Sequence, residues 1–341
     1  MQNIKDLTLN DIEKWLTLHG EKAYKALQVF AWVFNKGVNS FDDMTDLSKA
    51  LREKLKENFF ISKPKILATE KSQDGTQKLL LELEDLNCIE SVLIPEEDRL
   101  TLCLSSQVGC PLDCGFCMTG KGGFVRNLKL SEIVNQVFAA QSLLSVNQKI
   151  TNLVLMGMGE PLLNYDEVIK FLNIAIHQKG LGFAPKRVTV STAGIVPMIE
   201  RLGREIKVNL AVSLNATTDE IRNRLMPINK KYPLQILLDA CRKYPAARNR
   251  YITFEYILIE DVNDSIEDAK RLVKLLQGIK CKINLIPFNP FPGAEFKRPS
   301  EKTILNFQKV LMDNNYIAII RASKGQDISA ACGQLRGKLQ R

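Results

Sequence analysis

From residue 101 onward the chain alternates between short runs rich in β-branched and apolar residues and longer stretches with apolar residues three and four apart. The short runs are LTLCLSS, TNLVLMG, RVTVST, KVNLAVSL, ITFEYIL and KINLIPF; the longer ones include LSEIVNQVFAAQSLL, DEVIKFLNIAIHQ, SIEDAKRLVKLLQ and EKTILNFQKVLMDN. Strands joined through helices return to the same edge in the same direction, so their neighbours pair in parallel. Six strand–helix repeats therefore predict an α/β fold with a parallel sheet, either open and doubly wound or curled into a barrel. No glycine-rich phosphate-binding fingerprint follows the first strand, which argues against a nucleotide-binding doubly wound sheet.

Two other patterns precede this region. LNDIEKWL, EKAYKALQVFAWVF and SKALREKLKENF read as helices, with Asn10 and Thr45 as expected N-caps. From about residue 65 the period changes to two around the turn Asp74-Gly75, predicting a small antiparallel meander. The expected organisation is a helical accessory domain over 1–62, a meander over 63–100, an α/β domain over 101–320 and a glycine-containing tail over 321–341. The 45% apolar and 25% charged content is enough for a large core. A net charge of +9 favours a polyanionic partner, nucleic acid first. No apolar run is long enough to span a membrane, and MQNIKDLTLNDIEKW lacks the apolar stretch of a signal peptide. A cytoplasmic protein with reduced thiols and no membrane partner is expected. Only His19 and His177 occur, both within helical patterns, so zinc sites and acid–base chemistry built on histidine are disfavoured.

The unusual residues collect at the ends of the predicted strands. Cys110, Cys114 and Cys117 follow the first, Gly157-Met158-Gly159-Glu160 the second, Ser191-Thr192 the third, Ser213-Leu214-Asn215 the fourth and Asn289 the sixth. In parallel α/β folds the carboxyl ends of the strands share one face, so these loops predict one site. The cysteines have the spacing CxxxCxxC with no second pair nearby. A closed zinc site needs four ligands, and an iron–sulfur cubane takes one thiolate per iron. Three thiolates leave one iron open, and an open metal position is where chemistry occurs. Gly109, Pro111, Gly115 and Gly120 are expected to let the backbone wrap closely around such a cluster. Cys88, Cys241 and Cys281 have no partner spacing and read as packed thiols.

The CxxxCxxC spacing, with Phe116 before its last cysteine, and GMGEP after the next strand resemble the radical S-adenosylmethionine superfamily. The resemblance implies a partial (β/α)6 barrel and a 4Fe–4S cluster on Cys110, Cys114 and Cys117. It implies further that S-adenosylmethionine chelates the open iron and is cleaved to a 5′-deoxyadenosyl radical. A narrower resemblance rests on LTLCLSSQVGC, DISAACGQLRGK, GMGEPLLNYD and NLIPFNPFPG, and extends back to FNKGVNSFDDMTDLSKALREKL. These segments are similar to the RlmN-type adenine C2 methyltransferases of ribosomal and transfer RNA.

That likeness implies roles residue by residue. Cys332 would be methylated by one S-adenosylmethionine, and the radical from a second would activate its methyl group for addition to carbon 2. Cys103 would resolve the adduct through a transient disulfide with Cys332, and Glu90, in CIESVLIPEEDR, would accept the proton. Gly159, Glu160, Ser191, Ser213, Leu214, Asn215 and Asn289 would contact S-adenosylmethionine. SLNA departs from the family's usual Ser-Leu-His-Ala at Asn215, which keeps hydrogen-bonding ability but not the ring. The implied partners are 23S ribosomal RNA, transfer RNA and an electron donor of flavodoxin or ferredoxin type, with the enzyme a monomer. Two alternatives are compatible with these residues. A Cfr-type enzyme methylating carbon 8 shares the cysteines, although the longer N-terminal helical region favours carbon 2. The other is a non-enzymatic RNA-binding protein with a structural cluster.

Overall fold

The computed structural model describes residues 1–245 and 250–337; residues 338–341 of the expected tail lie outside them. Ten strands form the main sheet: β1 (Lys65–Lys71), β2 (Gln77–Glu82), β3 (Cys88–Glu96), β4 (Arg99–Cys103), β5 (Asn152–Leu155), β6 (Val188–Thr192), β7 (Asn209–Ser213), β8 (Ile252–Leu258), β9 (Cys281–Pro287) and β10 (Ile317–Ile320). Their order across the sheet is their order along the chain. β1 to β4 pair antiparallel, and β4 to β10 pair parallel. Cys103 is opposite Val92 on one side and Val154 on the other, so β4 is both the last strand of the meander and the first of the parallel set.

The helices between the parallel strands are α4 (Leu130–Ser142), α5 (Tyr165–Ile176), α6 (Val196–Glu205), α7 (Asp219–Leu225), α8 (Leu234–Lys243), α9 (Ile266–Leu275) and α10 (Glu301–Asp313), preceded by α1 (Leu9–Leu18), α2 (Lys25–Phe30) and α3 (Lys49–Asn58). A doubly wound sheet must reverse its strand order somewhere to cover both faces with helices. This sheet never reverses, and right-handed crossovers of one hand then put the helices on one face. The other face is left free to line a lumen. No pairing joins β10 to β1, so the arrangement is open at the edges.

All six expected parallel strands are present, and β10, with sequence IAII, is a seventh that the pattern did not reveal. Four residues beside a helix end carry too little periodicity to be separated from the loop. The expected caps are also corrected. Thr8, not Asn10, caps α1: its hydroxyl accepts from Asp11 N at 3.2 Å while Asp11 accepts from Thr8 N at 2.9 Å. Ser48 rather than Thr45 caps α3.

The N-terminal helices dock on α4, the helix after the cysteine loop. Lys5 is almost fully buried and donates to Ser62 O at 2.8 Å and Asn135 Oδ1 at 2.7 Å. Burial holds its pKa down at about 8. Ser131 N donates to Asp6 at 2.8 Å at the start of α4. His19 stacks on Trp15 and His177 meets Phe30 edge-on, and neither lines the cavity described below. Among the described residues no helix is long and apolar enough to cross a membrane.

Candidate active site

Two loops at the carboxyl ends of neighbouring strands are knitted together beneath the site. After β4, Leu104 N donates to Val154 O, and Gly157 N returns a bond to Leu104 O at 3.0 Å. Ser105 is fully buried; its hydroxyl donates to Glu90 O at 2.6 Å and accepts from Met158 N at 2.8 Å. Its backbone exchanges two bonds with the buried Gln136 amide of α4, at 2.7 and 2.9 Å. Gln107 Oε1 accepts from Glu160 N at 2.8 Å. The chains run so close that a Cβ at Gly159, where φ is +97°, would lie 2.5 Å from Gln107 Cβ. The motif GMGEP is therefore glycine-rich because it packs against SSQ, one strand over. Ser105, Gln107 and Gln136 were missed in the sequence, although three polar residues ending an apolar strand are a usable signal.

A cavity of about 160 Å³ opens above these loops. Cys110, Cys114, Cys117, Gly159, Glu160, Ser191, Ser213, Asn215 and Cys332 all line it. Four other expected residues do not: Glu90, Cys103, Leu214 and Asn289. Burial pushes the Cys110 thiol up to about 12 and raises Cys114 as well, while the Arg222 guanidinium opposes the rise at Cys114. Without a metal these thiols stay protonated; a positively charged iron centre is what such a buried set needs to ionise. Among the described residues no group of three or more histidine, cysteine or acidic side chains is set to hold a metal ion. A cubane takes one thiolate per iron, so its three cysteines need only line one cavity rather than meet at one atom. The donor set and the cavity thus fit a three-cysteine cluster.

The glycines of the cysteine loop do not line the cavity, contrary to expectation. A Cβ on Gly109 would collide with Gly123 O, and one on Gly120 would crowd Cys114 N at 3.1 Å. Gly109 and Gly120 let the loop fold closely on itself.

Glu160 is buried, and both its oxygens accept amide bonds, from Leu162 N at 3.1 Å and Ala193 N at 2.7 Å. Burial still outweighs these bonds and pushes its pKa up to about 7. A carboxylate has lone pairs left after two amides, so it can take a ligand cation. The Ser191 and Ser213 hydroxyls have no partner among the described residues. Asn215 sits in the left-handed region at φ 59°, where asparagine is tolerated, and its Oδ1 accepts from Ile257 N at 2.9 Å. Leu214 turns its side chain into the core, but its carbonyl accepts from Arg222 Nε at 3.0 Å. Arg222, also missed in the sequence, is fully buried and bonds as well to Ala193 O, Ser213 O and Asn229 Oδ1 at 2.7, 3.1 and 2.9 Å. It joins the loops after β6 and β7.

The tail is docked rather than loose. Met118 N donates to Gly333 O at 2.7 Å and Thr119 Oγ1 to Leu335 O at 2.6 Å, fixing the tail to the helical turn after Cys117. On its other side the meander holds it. Asp74 accepts from Gly325 N at 2.9 Å, Asp327 accepts from Ser72 Oγ at 2.6 Å, and Lys78 Nζ donates to Ile328 O at 2.7 Å. Glu90 Oε2 accepts from Arg336 N at 2.6 Å and Gly337 N at 3.0 Å. Asn289 donates to Cys332 O at 3.3 Å. Glu90 and Asn289 thus hold the segment that carries Cys332. The Cys332 thiol opens to the cavity, while crowding by the surrounding chain raises its pKa and Arg321 opposes the rise. Cys103 is buried at the end of β4 within electrostatic reach of Cys332, and burial drives its pKa far up.

The chain matches known families over the same elements. Residues 2–61 match the ribosomal RNA large subunit methyltransferase N-terminal domain, and residues 104–275 match the radical SAM superfamily. A dual-specificity RNA methyltransferase RlmN of Geobacter sulfurreducens is 55% identical over 99% of this chain and 93% of its own length. That of Syntrophotalea carbinolica is 56% identical over 99% of this chain and 90% of its own. The crystal structure of a radical SAM methyltransferase from Sphaerobacter thermophilus superposes with a TM-score of 0.92 at 43% identity, covering 99% of this chain and 100% of that one. With its three thiols in one cavity, its N-terminal helices and its full-length relatives in agreement, the chain belongs to the radical SAM superfamily and, within it, to the RlmN dual-specificity RNA methyltransferases.

Proposed function

We propose that this enzyme methylates carbon 2 of an adenine in 23S ribosomal RNA and of the adenine beside the anticodon in transfer RNA, with Cys332 as the methyl carrier. The observation that carries this reading is that Cys332 opens into the cavity lined by Cys110, Cys114 and Cys117. Those three thiols would hold a 4Fe–4S cluster, and Glu160 with Ser191, Ser213 and Asn215 would contact S-adenosylmethionine along with the Gly159 backbone. When bound, these groups supply the methyl group for Cys332 and a 5′-deoxyadenosyl radical that activates it. The fit to Leu214 and Asn289 is indirect: the first offers only its backbone, and the second steadies Cys332.

Carbon 2 of adenine lies between two ring nitrogens and is too electron-poor to attack a methyl cation donor, so the methyl group must first be carried by sulfur. Once the carbon on Cys332 is joined to the base, Cys103 Sγ, having lost its proton, would bond to Cys332 Sγ as the carbon–sulfur bond breaks. That bond's electron pair goes to the carbon, which takes up a proton to become the methyl group. A thiol reductant then returns the disulfide to two thiols. Support for this pairing is that Cys103 lies opposite Val154, next to Leu155 and Met156 of the cavity wall, and within reach of the charge on Cys332. Glu90 would take the proton from carbon 2; its present bonds to the tail give it a second, positioning duty. We further propose that the enzyme acts in the cytoplasm as a monomer fed by a flavodoxin- or ferredoxin-type donor.

Nucleoside mass spectrometry of ribosomal and transfer RNA treated with reconstituted enzyme tests the reading. 2-Methyladenosine in both RNAs is expected. 8-Methyladenosine would identify the carbon 8 chemistry, which the N-terminal match and the full-length relatives do not favour, and no methylated base would contradict the function.

A further inference from the structure

Arg222 carries a charge that its hydrogen bonds do not explain. It is fully buried in α7, behind the wall that Ala193 and Ser213 give to the cysteine cavity. Every acceptor it bonds among the described residues is neutral: Leu214 O, Ala193 O, Ser213 O and the Asn229 amide oxygen. Burying a cation without a carboxylate is costly. Burial lowers the Arg222 pKa to about 10, so the charge persists at neutral pH.

Asn229 keeps that charge from being cancelled. Its Oδ1 accepts from Arg222 Nη1 at 2.9 Å, while its Nδ2 donates to Asp219 Oδ1 at 2.9 Å. The Asp219 carboxylate is thus held one side chain away, at an exposed position where solvent screens it. Arg222 forms no ion pair among the described residues. Toward the site the charge meets the cysteines instead. α7 ends against their loop, where Gly115 N, between Cys114 and Cys117, donates to Leu225 O at 3.0 Å. The Arg222 charge bears on the Cys114 thiol, opposed by Cys110, Cys117 and Glu160. Ala193 joins Arg222 to Glu160, accepting from Arg222 Nη2 at 2.7 Å and donating to Glu160 Oε2 at 2.7 Å.

We propose that Arg222 is a positioning residue that acts through Cys114: its uncompensated charge raises the reduction potential of the cluster held by Cys110, Cys114 and Cys117. Three thiolates on an oxidised cubane leave one net negative charge, and an added electron makes it two. A cation beside the cluster favours the more negative state, and in the protein interior its field is weakly screened. The proposed donor protein gives up that electron and is oxidised, while the cluster takes it up. The proposal rests on the three-cysteine cluster and its external donor, and it names the residue that makes this transfer easier. Asn229 belongs to the same device, because a carboxylate in its place would neutralise the guanidinium.

A redox titration of reconstituted enzyme tests this, followed by the electron paramagnetic resonance signal of the reduced cluster with neither S-adenosylmethionine nor RNA added. Arg222→Gln keeps amide donors but not the charge, and its midpoint should fall by at least about 59 mV, a tenfold change in the one-electron equilibrium. Arg222→Lys keeps the charge but loses the fork of donors. It should unfold in less urea, yet its midpoint should stay within about 59 mV of the wild type. The exchange Asp219→Asn, Asn229→Asp leaves Arg222 and the net charge unchanged and brings a carboxylate against Nη1. Its midpoint should also fall tenfold or more in equilibrium, and it decides the matter if Arg222→Gln does not fold. A wild-type midpoint in the cluster-loaded exchange variant or in Arg222→Gln would overturn the role of the charge and leave the cluster reading standing. So would an equal fall in Arg222→Lys and Arg222→Gln, since lost bonds would then explain both. Wild-type protein that gives no reduced-cluster signal would overturn the cluster reading itself and this inference with it.

Discussion

Glu160 shows how a buried carboxyl can cost the protein stability near neutral pH. Its carboxyl is buried under two amide donors and pushed up to about 7 from an ordinary 4.5. The unfolded chain loses that proton at lower pH, so the stability it contributes is complete below the unfolded value and is lost as pH rises through the folded one. In cluster-free protein, the wild type should therefore lose a few kcal/mol relative to Glu160→Gln between about pH 4.5 and pH 7, by urea unfolding. A difference that does not change with pH would show that the carboxyl is not titrating in this window. Arg222 makes a complementary case. Its guanidinium satisfies Leu214 O, Ala193 O and Ser213 O in the interior, and leaving those carbonyls bare costs about 1–3 kcal/mol each. Arg222→Met should destabilise the fold by at least about 3 kcal/mol, and a loss under 1 kcal/mol would mean that water or a neighbour replaces it.

At the scale of elements, the meander and the tail act as a pair. Asp74, Lys78 and Glu90 on or beside β2 and β3 grip the tail on both flanks of Cys332. This separates two roles for Glu90. Glutamine can still accept the Arg336 and Gly337 amides but cannot take a proton, whereas alanine can do neither. Glu90→Gln should keep the tail protected from hydrogen exchange yet leave enzyme joined to RNA; Glu90→Ala should lose the protection as well. Normal turnover in Glu90→Gln would confine the residue to positioning. None of this was legible in the sequence, because a tail without period gives no sign of what it will dock on. The gripping residues are more than 240 positions away from their partners. Local signals fared better: the strand ends that carry Cys110, Glu160, Ser191 and Ser213 were found from periodicity alone, since side-chain alternation and crossover length fix which loops share a face.

For the whole molecule, strand order equal to chain order has one consequence that matters most. It leaves the inner face of the sheet uncovered by helices, and that face becomes a lumen that Cys332 lines. The alternation of strands and helices announced the sheet, but the polar lumen was hidden. Asn152, Thr189, Asn209 and Thr253 read singly as strand-end residues, and only register brings them onto one surface. In the proposed mechanism Cys103, buried at the end of β4, would be the thiol that ends the reaction. Cys103→Ala should accumulate a covalent enzyme–RNA adduct, seen as a shifted band on a denaturing gel, and release of methylated RNA at the wild-type rate would refute that role. The most direct test of the account is the mass of the proteolytic peptide containing Cys332, after reduced, reconstituted enzyme has met S-adenosylmethionine without RNA. The account predicts that this peptide is heavier by one methylene unit, with the change on Cys332 and absent from Cys332→Ala. An unmodified Cys332 in enzyme that goes on to methylate RNA would contradict it.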